Sequence, residues 1–223
     1  MINSIVKNFG KWFGIEGVFA SWFVILGILS QLVTCYIMND SGLAVCSGIA
    51  GVVSVVLCSQ KKYNFYFWGI LQLVTILMIS YQTELYGKVI ENFFYLITMF
   101  AGMSIWSKNK NKNNEAKIRS MKLDDYMIFV TLFIPIVTLF AYMLIKHYNS
   151  DQILLDTITT VIGIIAQMLM VLRFREQWVL WFILDILCIV LWAKDGNWCL
   201  MTQYIFWSIN CIYGFFYWRY AKN

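Results

Sequence analysis

Charge is what this 223-residue sequence has least of: Asp, Glu, Lys and Arg together make up 13% of it, about half the share found in soluble globular domains. Hydrophobic residues supply 61%, aromatic residues 18%, and the mean hydropathy is +0.68. A large water-soluble domain is excluded, and the chain reads as an all-α, polytopic membrane protein. Proline occurs once (Pro135) and histidine once (His147). There is no H-E-x-x-H, no P-loop glycine-lysine signature and no C-x-x-C pair. These absences argue against intramembrane metal hydrolysis, ATP-driven pumping by this chain alone, a zinc site and a secreted disulfide framework. Neither a metal nor a cofactor is expected. The six cysteines, Cys35, Cys46, Cys58, Cys188, Cys199 and Cys211, lie in or beside apolar segments and read as small packing residues.

A spanning helix needs about 20 mostly apolar residues. Cut at its charged and turn-prone clusters, the chain yields eight such stretches: 17–38, 42–58, 64–82, 85–106, 125–146, 152–173, 177–195 and 197–218. Short connections between most of them make consecutive helices antiparallel neighbours. Two lysines precede the first stretch, but it runs past twenty residues and is one of many, so it reads as an anchor rather than a cleaved signal. Pro135 is expected to kink the helix over 125–146.

The basic residues locate the net charge of +5. With eight crossings, Lys7, Lys11, Lys61, Lys62, Lys108, Lys110, Lys112, Lys117, Arg119, Lys122, Arg173, Arg175, Arg219 and Lys222 fall on one side. Only Lys88, Lys146 and Lys194 fall on the other. Fourteen against three puts both termini in the cytoplasm by the positive-inside rule. The charge is topological, so no nucleic-acid partner is implied, and the basic run from Lys108 to Arg119 reads as a solvated cytoplasmic loop rather than a lipid-binding patch.

Residues 48–106 laid over 163–218 bring Trp68 onto Trp181 at an offset of 113, then Glu91 onto Gln203, Gly102 onto Gly214 and Trp106 onto Trp218 at 112. Each half has a short basic turn between its first two spans, Lys61-Lys62 in one and Arg173 to Arg175 in the other. A three-span unit ends on the side opposite its start. A second copy in the same orientation therefore needs one intervening span, which 125–146 supplies. The expected architecture is two parallel three-helix repeats joined by a linker helix, a 3+1+3 plan, plus one extra N-terminal helix. The expected segments are 1–38 (N-terminal segment and peripheral helix), 42–106 (first repeat), 107–146 (cytoplasmic loop and linker helix) and 152–218 (second repeat). Such parallel repeats are a transporter architecture with the substrate bound between the halves near the midplane.

The polar residues inside the spans mark the candidate site. Asp185 sits mid-span, where an acid costs about 2.5–3.5 kcal/mol to insert. Trp178 and Trp181, seven and four residues earlier, share its helical stripe. Gln203, Asn210 and Tyr213 share a face of the last span. Glu91 and Asn92 lie inside the span over 85–106, and Gln72 follows Trp68 by four residues. Together they form the expected aromatic, hydrogen-bonding cleft for a small planar heterocycle with a polar tail. Trp106, Trp198 and Trp218, at span ends, read as interfacial belt residues.

The run Arg175-Glu176-Gln177-Trp178-Val179-Leu180-Trp181, the acid Asp185, Gln203-Tyr204, and Asn210-Cys211-Ile212-Tyr213-Gly214 resemble the PnuC-type transporters, the nicotinamide riboside carrier family. The first half adds Asn64 to Gly69, Leu85-Tyr86 and Gly102 to Trp106, so the likeness covers about 42–220. The resemblance implies a SWEET-like arrangement of two three-helix bundles joined by a helix, in the bacterial inner membrane. It implies that Trp178, Trp181, Asn210 and Tyr213 are among the residues contacting nucleoside. It further implies facilitated diffusion of nicotinamide riboside with trapping by a cytoplasmic kinase. Two positions depart from the family pattern. The first half has Asn92 and then Met99 to Gly102 in place of a further amide and N-x-x-Y-G-like ending, and Asp185 stands where some relatives carry an amide. Thiamine or a nucleoside is the alternative cargo, and a homo-oligomer is compatible with the fold.

Two other classes fit less well. A membrane transferase using Asp185 as base lacks a second catalytic acid or metal cluster. A retinal-type receptor wants a lysine mid-span, whereas Lys88 and Lys194 stand at span ends.

Overall fold

A computed structural model of the chain describes residues 2–39, 41–82, 86–112, 115–147, 153–195 and 198–220. The described residues are almost wholly helical. An amphipathic α1 (Ile2–Trp12) precedes α2 (Val18–Met38), α3 (Gly42–Ser59), α4 (Phe65–Gln82) and α5 (Tyr86–Lys108). A linker then enters α6 (Leu123–Ile128), a π-helical segment (Phe129–Phe133) and α7 (Ile134–His147), followed by α8 (Ile153–Val171), α9 (Gln177–Asp195) and α10 (Trp198–Tyr220). From α2 onward, the helical stretches begin and end within two residues of the eight read from the sequence. By length and hydropathy alone, α2, α3, α4 and the run Leu123–Met143 can each cross a bilayer, and Thr157–Val171 and Gln177–Leu191 are shorter apolar helices. The expected turns at 149–151 and 196–197, residues 83–84, and the side chains of Leu85, Tyr86, Lys88, Lys194, Trp198 and Cys199 lie outside the description.

The helices form two trios. α4 packs against α3 and α5, and α9 packs against α8 and α10; across the divide, α5 packs on α8 and α10 on α3. Small residues on α3, among them Ser47, Gly48, Ala50, Gly51 and Ser54, are buried. They let neighbouring backbones approach, which is how helices associate where lipid is as apolar as leucine. At Gly48 a Cβ would stand 2.7 Å from the Gln31 amide oxygen, and at Gly51 one would stand 2.9 Å from the Gln72 amide nitrogen. Outside the two trios, α2 packs on α3 and α10, and α7 on α8.

The two tight turns are alike in detail at an offset of 112. Lys61 and Arg173 both take a left-handed conformation, with φ of 60° and 64°. The Lys61 and Arg173 amides donate to Cys58 O and Met170 O at 2.9 and 3.0 Å, and the Lys62 and Phe174 amides to Leu57 O and Leu169 O at 2.9 and 2.8 Å. Gly102 lies under Tyr66 as Gly214 lies under Trp178, with a would-be Cβ 2.5 Å from the Tyr66 hydroxyl and 2.7 Å from the Trp178 ring. This corrects the sequence alignment: the structural counterpart of Trp178 is Tyr66, and the 113 offset that set Trp68 on Trp181 gives way to 112. One residue of slip is easy in a stretch where aromatics crowd every turn.

The expected loop keeps its basic side chains, Lys108, Lys110, Lys112, Lys117 and Arg119, exposed, and its backbone forms a clip. The Ala116 amide donates to Lys61 O (2.9 Å), the Arg119 amide to Arg173 O (2.9 Å), and the Arg175 amide to Arg119 O (3.0 Å). Both turns therefore lie at the same end of the molecule, fastened to one extended strand whose Ala116 and Ile118 are buried. Glu16 joins this end. Its amide donates to Gln60 Oε1 (2.9 Å) and its carbonyl accepts from Gln60 Nε2 (2.6 Å). Lys62 Nζ donates to Glu16 (2.7 Å) and to Glu115 (3.1 Å). Burial alone depresses the Lys62 ammonium, but its bonds to Glu16 and Glu115 outweigh that and hold it above the ordinary lysine value. Burial likewise raises Glu115, and the bonds from Lys62 and Asn111 hold it below the ordinary carboxylate value.

Trp106 and Trp218, expected as belt residues, are 0% and 2% exposed. Each spends its indole N–H on a carbonyl at the end of a helix in the other trio, so they are internal fasteners. Pro135 is accommodated without a break, because the π-helical segment just before it widens the helix where the proline ring would meet the preceding turn.

Candidate substrate-binding site

Helix α9 positions the indoles and the acid. Trp178 is 4% exposed and fits over Gly214, its ring meeting that of Trp218 edge-on at 5.4 Å. Its Nε1 has no partner among the described residues. Trp181, half-buried one turn on, meets Tyr95 of α5 edge-on at 6.3 Å. Asp185 is 2% exposed and accepts from the thiol of Cys211 on α10 at 3.4 Å.

Helix α10 contributes the amides. Asn210, 1% exposed, donates Nδ2 to Val55 O at 3.1 Å, while its Oδ1 is buried without a described partner. Tyr213 rests between Phe19 and Tyr217, each 5.6 Å away. A shallow apolar crevice, too narrow to hold a water molecule, runs along Phe19, Ala20, Phe23, Val56, Asn210 and Tyr213. Gln203 is buried one face-repeat earlier.

Helix α5 answers from the other trio. The Tyr95 hydroxyl donates to Glu91 at 2.9 Å, Asn92 is buried, and Gln167 of α8 donates to Thr98 Oγ1 at 3.0 Å. Thr98–Gln167 occupies the place that Asn210–Val55 occupies 112 residues on, so the same inter-helix contact is built twice with different chemistry. Tyr204 on α10 hydrogen-bonds Cys188 of α9.

Trp181 of α9 thus meets Tyr95 of α5, which bonds Glu91, and Asp185 of α9 meets Cys211 of α10, with Asn210 and Tyr213 on the α2–α3 side of α10. Trp68 and Gln72 are placed elsewhere. Trp68 packs at 5.6 Å on Phe13 of the N-terminal segment, with no ring contact to Trp181 among the described residues, and Gln72 rests on Gly51. The sequence reading did not single out Tyr95, Thr98 or Gln167, which the structure sets beside the candidate residues. Gln167 was within reach, since an amide mid-span carries the same insertion cost that marked Gln203. The cysteines read as packers are free thiols at the five described positions, and Cys211 is also a hydrogen-bond donor.

Apolar helices in two similarly built trios, with a buried acid, amides and indoles where they meet, define a polytopic membrane transporter. The chain belongs to the PnuC family of nicotinamide riboside transporters. The family model described as nicotinamide mononucleotide transporter matches residues 41–220. The nicotinamide riboside transporter PnuC of Neisseria mucosa is 31% identical, with 94% of this chain and 82% of that protein covered. That of Haemophilus influenzae is 32% identical over 93% and 90%. The crystal structure of the vitamin B3 transporter PnuC superposes with a TM-score of 0.79 at 28% identity, covering 92% of each chain. These relatives are transporters, and the chain is one rather than an enzyme.

Proposed function

We propose that this chain takes up nicotinamide riboside by facilitated diffusion across the bacterial inner membrane, both termini cytoplasmic, with a cytoplasmic kinase trapping the product. The working parts are two parallel three-helix repeats, α3–α5 and α8–α10, joined by α6–α7, with α2 as the extra helix. The matched turns at Lys61 and Arg173, tied to one strand at one end, carry the parallel reading. The fourteen basic residues assigned to that side support the orientation. Trp178 and Trp181 stack the pyridinium ring. Gln203, Asn210 and Tyr213 read the ribose hydroxyls, and Glu91 and Asn92 close the site from α5. Alternating access follows from the trios rocking about the contacts α3–α10 and α5–α8.

The family description speaks of the mononucleotide and the relatives' names of the riboside; the two differ by a phosphate. A phosphate wants Arg or Lys. Among the described residues, no basic side chain ion-pairs with Asp185, and a buried acid in the proposed site repels a phosphate. That observation favours the riboside. It equally admits thiamine, whose ring is also cationic.

Binding by the detergent-purified protein tests the reading. Nicotinamide riboside is expected to bind saturably, and Trp181→Ala and Asn210→Ala each to weaken it about tenfold, near 1.4 kcal/mol. Undiminished affinity in both variants removes the proposed site, and a preference for the mononucleotide removes the proposed cargo.

A further inference from the structure

Helix α1 has three sides of different chemistry. At about 100° per residue, Ile2, Ile5, Phe9 and Trp12 fall within an arc of about 80°, and Ile2, Ile5 and Trp12 are 65%, 61% and 85% exposed. Val6 and Gly10, the buried residues of the helix, border that arc on one side, with Gly10 set against the Ser21 hydroxyl of α2. Lys7 and Lys11, both exposed, lie on the side away from the apolar arc. The sequence up to Trp12 contains no acid, and the next one, Glu16, is engaged by Lys62. The elbow after α1 fixes where it sits. The Ile15 amide donates to Gly10 O at 2.9 Å, Ile15 is buried, Phe13 packs on Trp68 in the first turn of α4, and Glu16 bonds Gln60. α1 is thus held at the end of the bundle where the spanning helices stop, with protein on one flank. A helix in that position has hydrocarbon on one side and water on the other, and its apolar arc and its lysines are disposed to match.

We propose that α1 lies in the membrane surface as an anionic-lipid anchor: Ile2, Ile5 and Trp12 enter the boundary between headgroups and acyl chains, and Lys7 and Lys11 bind the phosphates of anionic headgroups. Charge complementarity selects the occupant, since neither lysine forms an ion pair among the described residues. Each lysine held near an anionic surface favours binding about fivefold, an attraction that salt screens. The apolar arc supplies the part of the affinity that does not depend on lipid charge. Because Phe13 and Glu16 fasten the segment to α4 and to the turn after α3, lipid bound by α1 holds the first trio against the membrane surface.

Fluorescence quenching in proteoliposomes of the full chain tests this. Trp12 is one of ten tryptophans, and the difference between the chain and Trp12→Phe isolates its emission. Brominated phosphatidylglycerol and brominated phosphatidylcholine are titrated separately into phosphatidylcholine vesicles. Both are expected to quench the Trp12 signal, bromines near the headgroup more than bromines deep in the chains, and phosphatidylglycerol at a severalfold lower mole fraction. Lys7→Gln with Lys11→Gln is expected to remove that preference while leaving the quenching by phosphatidylcholine. Lys7→Arg with Lys11→Arg is expected to keep the preference, and high salt to abolish it. All three variants change exposed side chains, and an unchanged thermal midpoint shows that each still folds. A Trp12 signal that neither lipid quenches overturns the anchor and leaves the face to water, a second copy or another protein. Equal quenching by the two lipids overturns the anionic preference. A preference that survives the glutamine pair but is lost on neutralising Lys110 and Lys112 overturns the assignment to α1.

Discussion

Trp106 and Trp218 fasten the two helix trios to each other reciprocally: the indole N–H of Trp106 in α5 donates to Met170 O at the end of α8 (3.1 Å), and that of Trp218 in α10 to Ser59 O at the end of α3 (2.9 Å). Both rings are buried, and they stand 6.0 Å apart, so the two fasteners touch.

Replacing either indole with phenylalanine keeps most of the packing, but the carbonyls left behind differ: Met170 O still accepts from the Arg173 amide at 3.0 Å, whereas Ser59 O loses its described donor. Trp106→Phe is therefore expected to cost about 1 kcal/mol and Trp218→Phe about 1–3 kcal/mol. Trp218→Phe should lower the thermal midpoint in detergent more than Trp106→Phe, and the double variant should deviate from additivity because the rings touch. A loss confined to one of them would show that only one half of the fastening matters.

The clip at Lys62 should give stability a characteristic pH profile. Glu115 is held below its ordinary value, so its contribution is complete above the unfolded carboxylate value, about 4.3, and is lost as pH falls through the folded value. Lys62 is held above its ordinary value, so its contribution is complete below about 10.4 and is lost as pH rises through the folded value. Thermal unfolding in detergent should show a plateau between these limits. Glu115→Gln should flatten the acid side, and an unchanged acid side in that variant would place the titrating group elsewhere.

Glycine at 102 and 214 serves close approach. A methyl at Gly214 would meet the Trp178 ring at 2.7–2.8 Å, and one at Gly102 would meet Tyr66 at 2.5 Å. Overpacking of this kind costs about 1–3 kcal/mol. Gly214→Ala is expected to weaken riboside binding as well, since it moves a proposed stacking ring, whereas Gly102→Ala is expected to lower stability with a smaller effect on affinity. Titration by intrinsic tryptophan fluorescence, with unfolding measured beside it, separates the two effects.

Much of the helix pattern was legible because membrane insertion imposes it: twenty apolar residues between polar cuts leave few alternatives. The basic turns at Lys61 and Arg173 marked equivalent positions for the same reason, since charge collects on one side. What remained hidden depends on partners far apart in the chain. Nothing in the sequence around Trp106 says that its N–H reaches Met170, so a belt residue was the natural reading. Nor does the run from Lys108 to Arg119 announce that Ala116 and Arg119 bond to two turns 112 residues apart. For the proposed site, single-helix spacing pointed to Trp178, Trp181 and Asp185, but it could not point to Tyr95 or Thr98, whose contacts arise where α5 meets α8 and α9.

Asn210 provides the sharpest test of how the amides act, because its two ends have different duties. Nδ2 is spent on Val55 O, holding α10 to α3, while Oδ1 is buried without a described partner. Alanine removes both, and the expected result is weaker binding with a stability loss of about 1 kcal/mol for the hydrogen bond. Aspartate keeps the shape but turns an acceptor toward the Val55 carbonyl and puts a second acid beside Cys211, the residue that already donates to Asp185. Asn210→Asp should therefore be less stable than Asn210→Ala despite being the closer isostere. Unfolding midpoints for the two variants decide the order, and an aspartate variant as stable as the wild-type chain would mean that the Nδ2 contact carries no weight in holding the trios together.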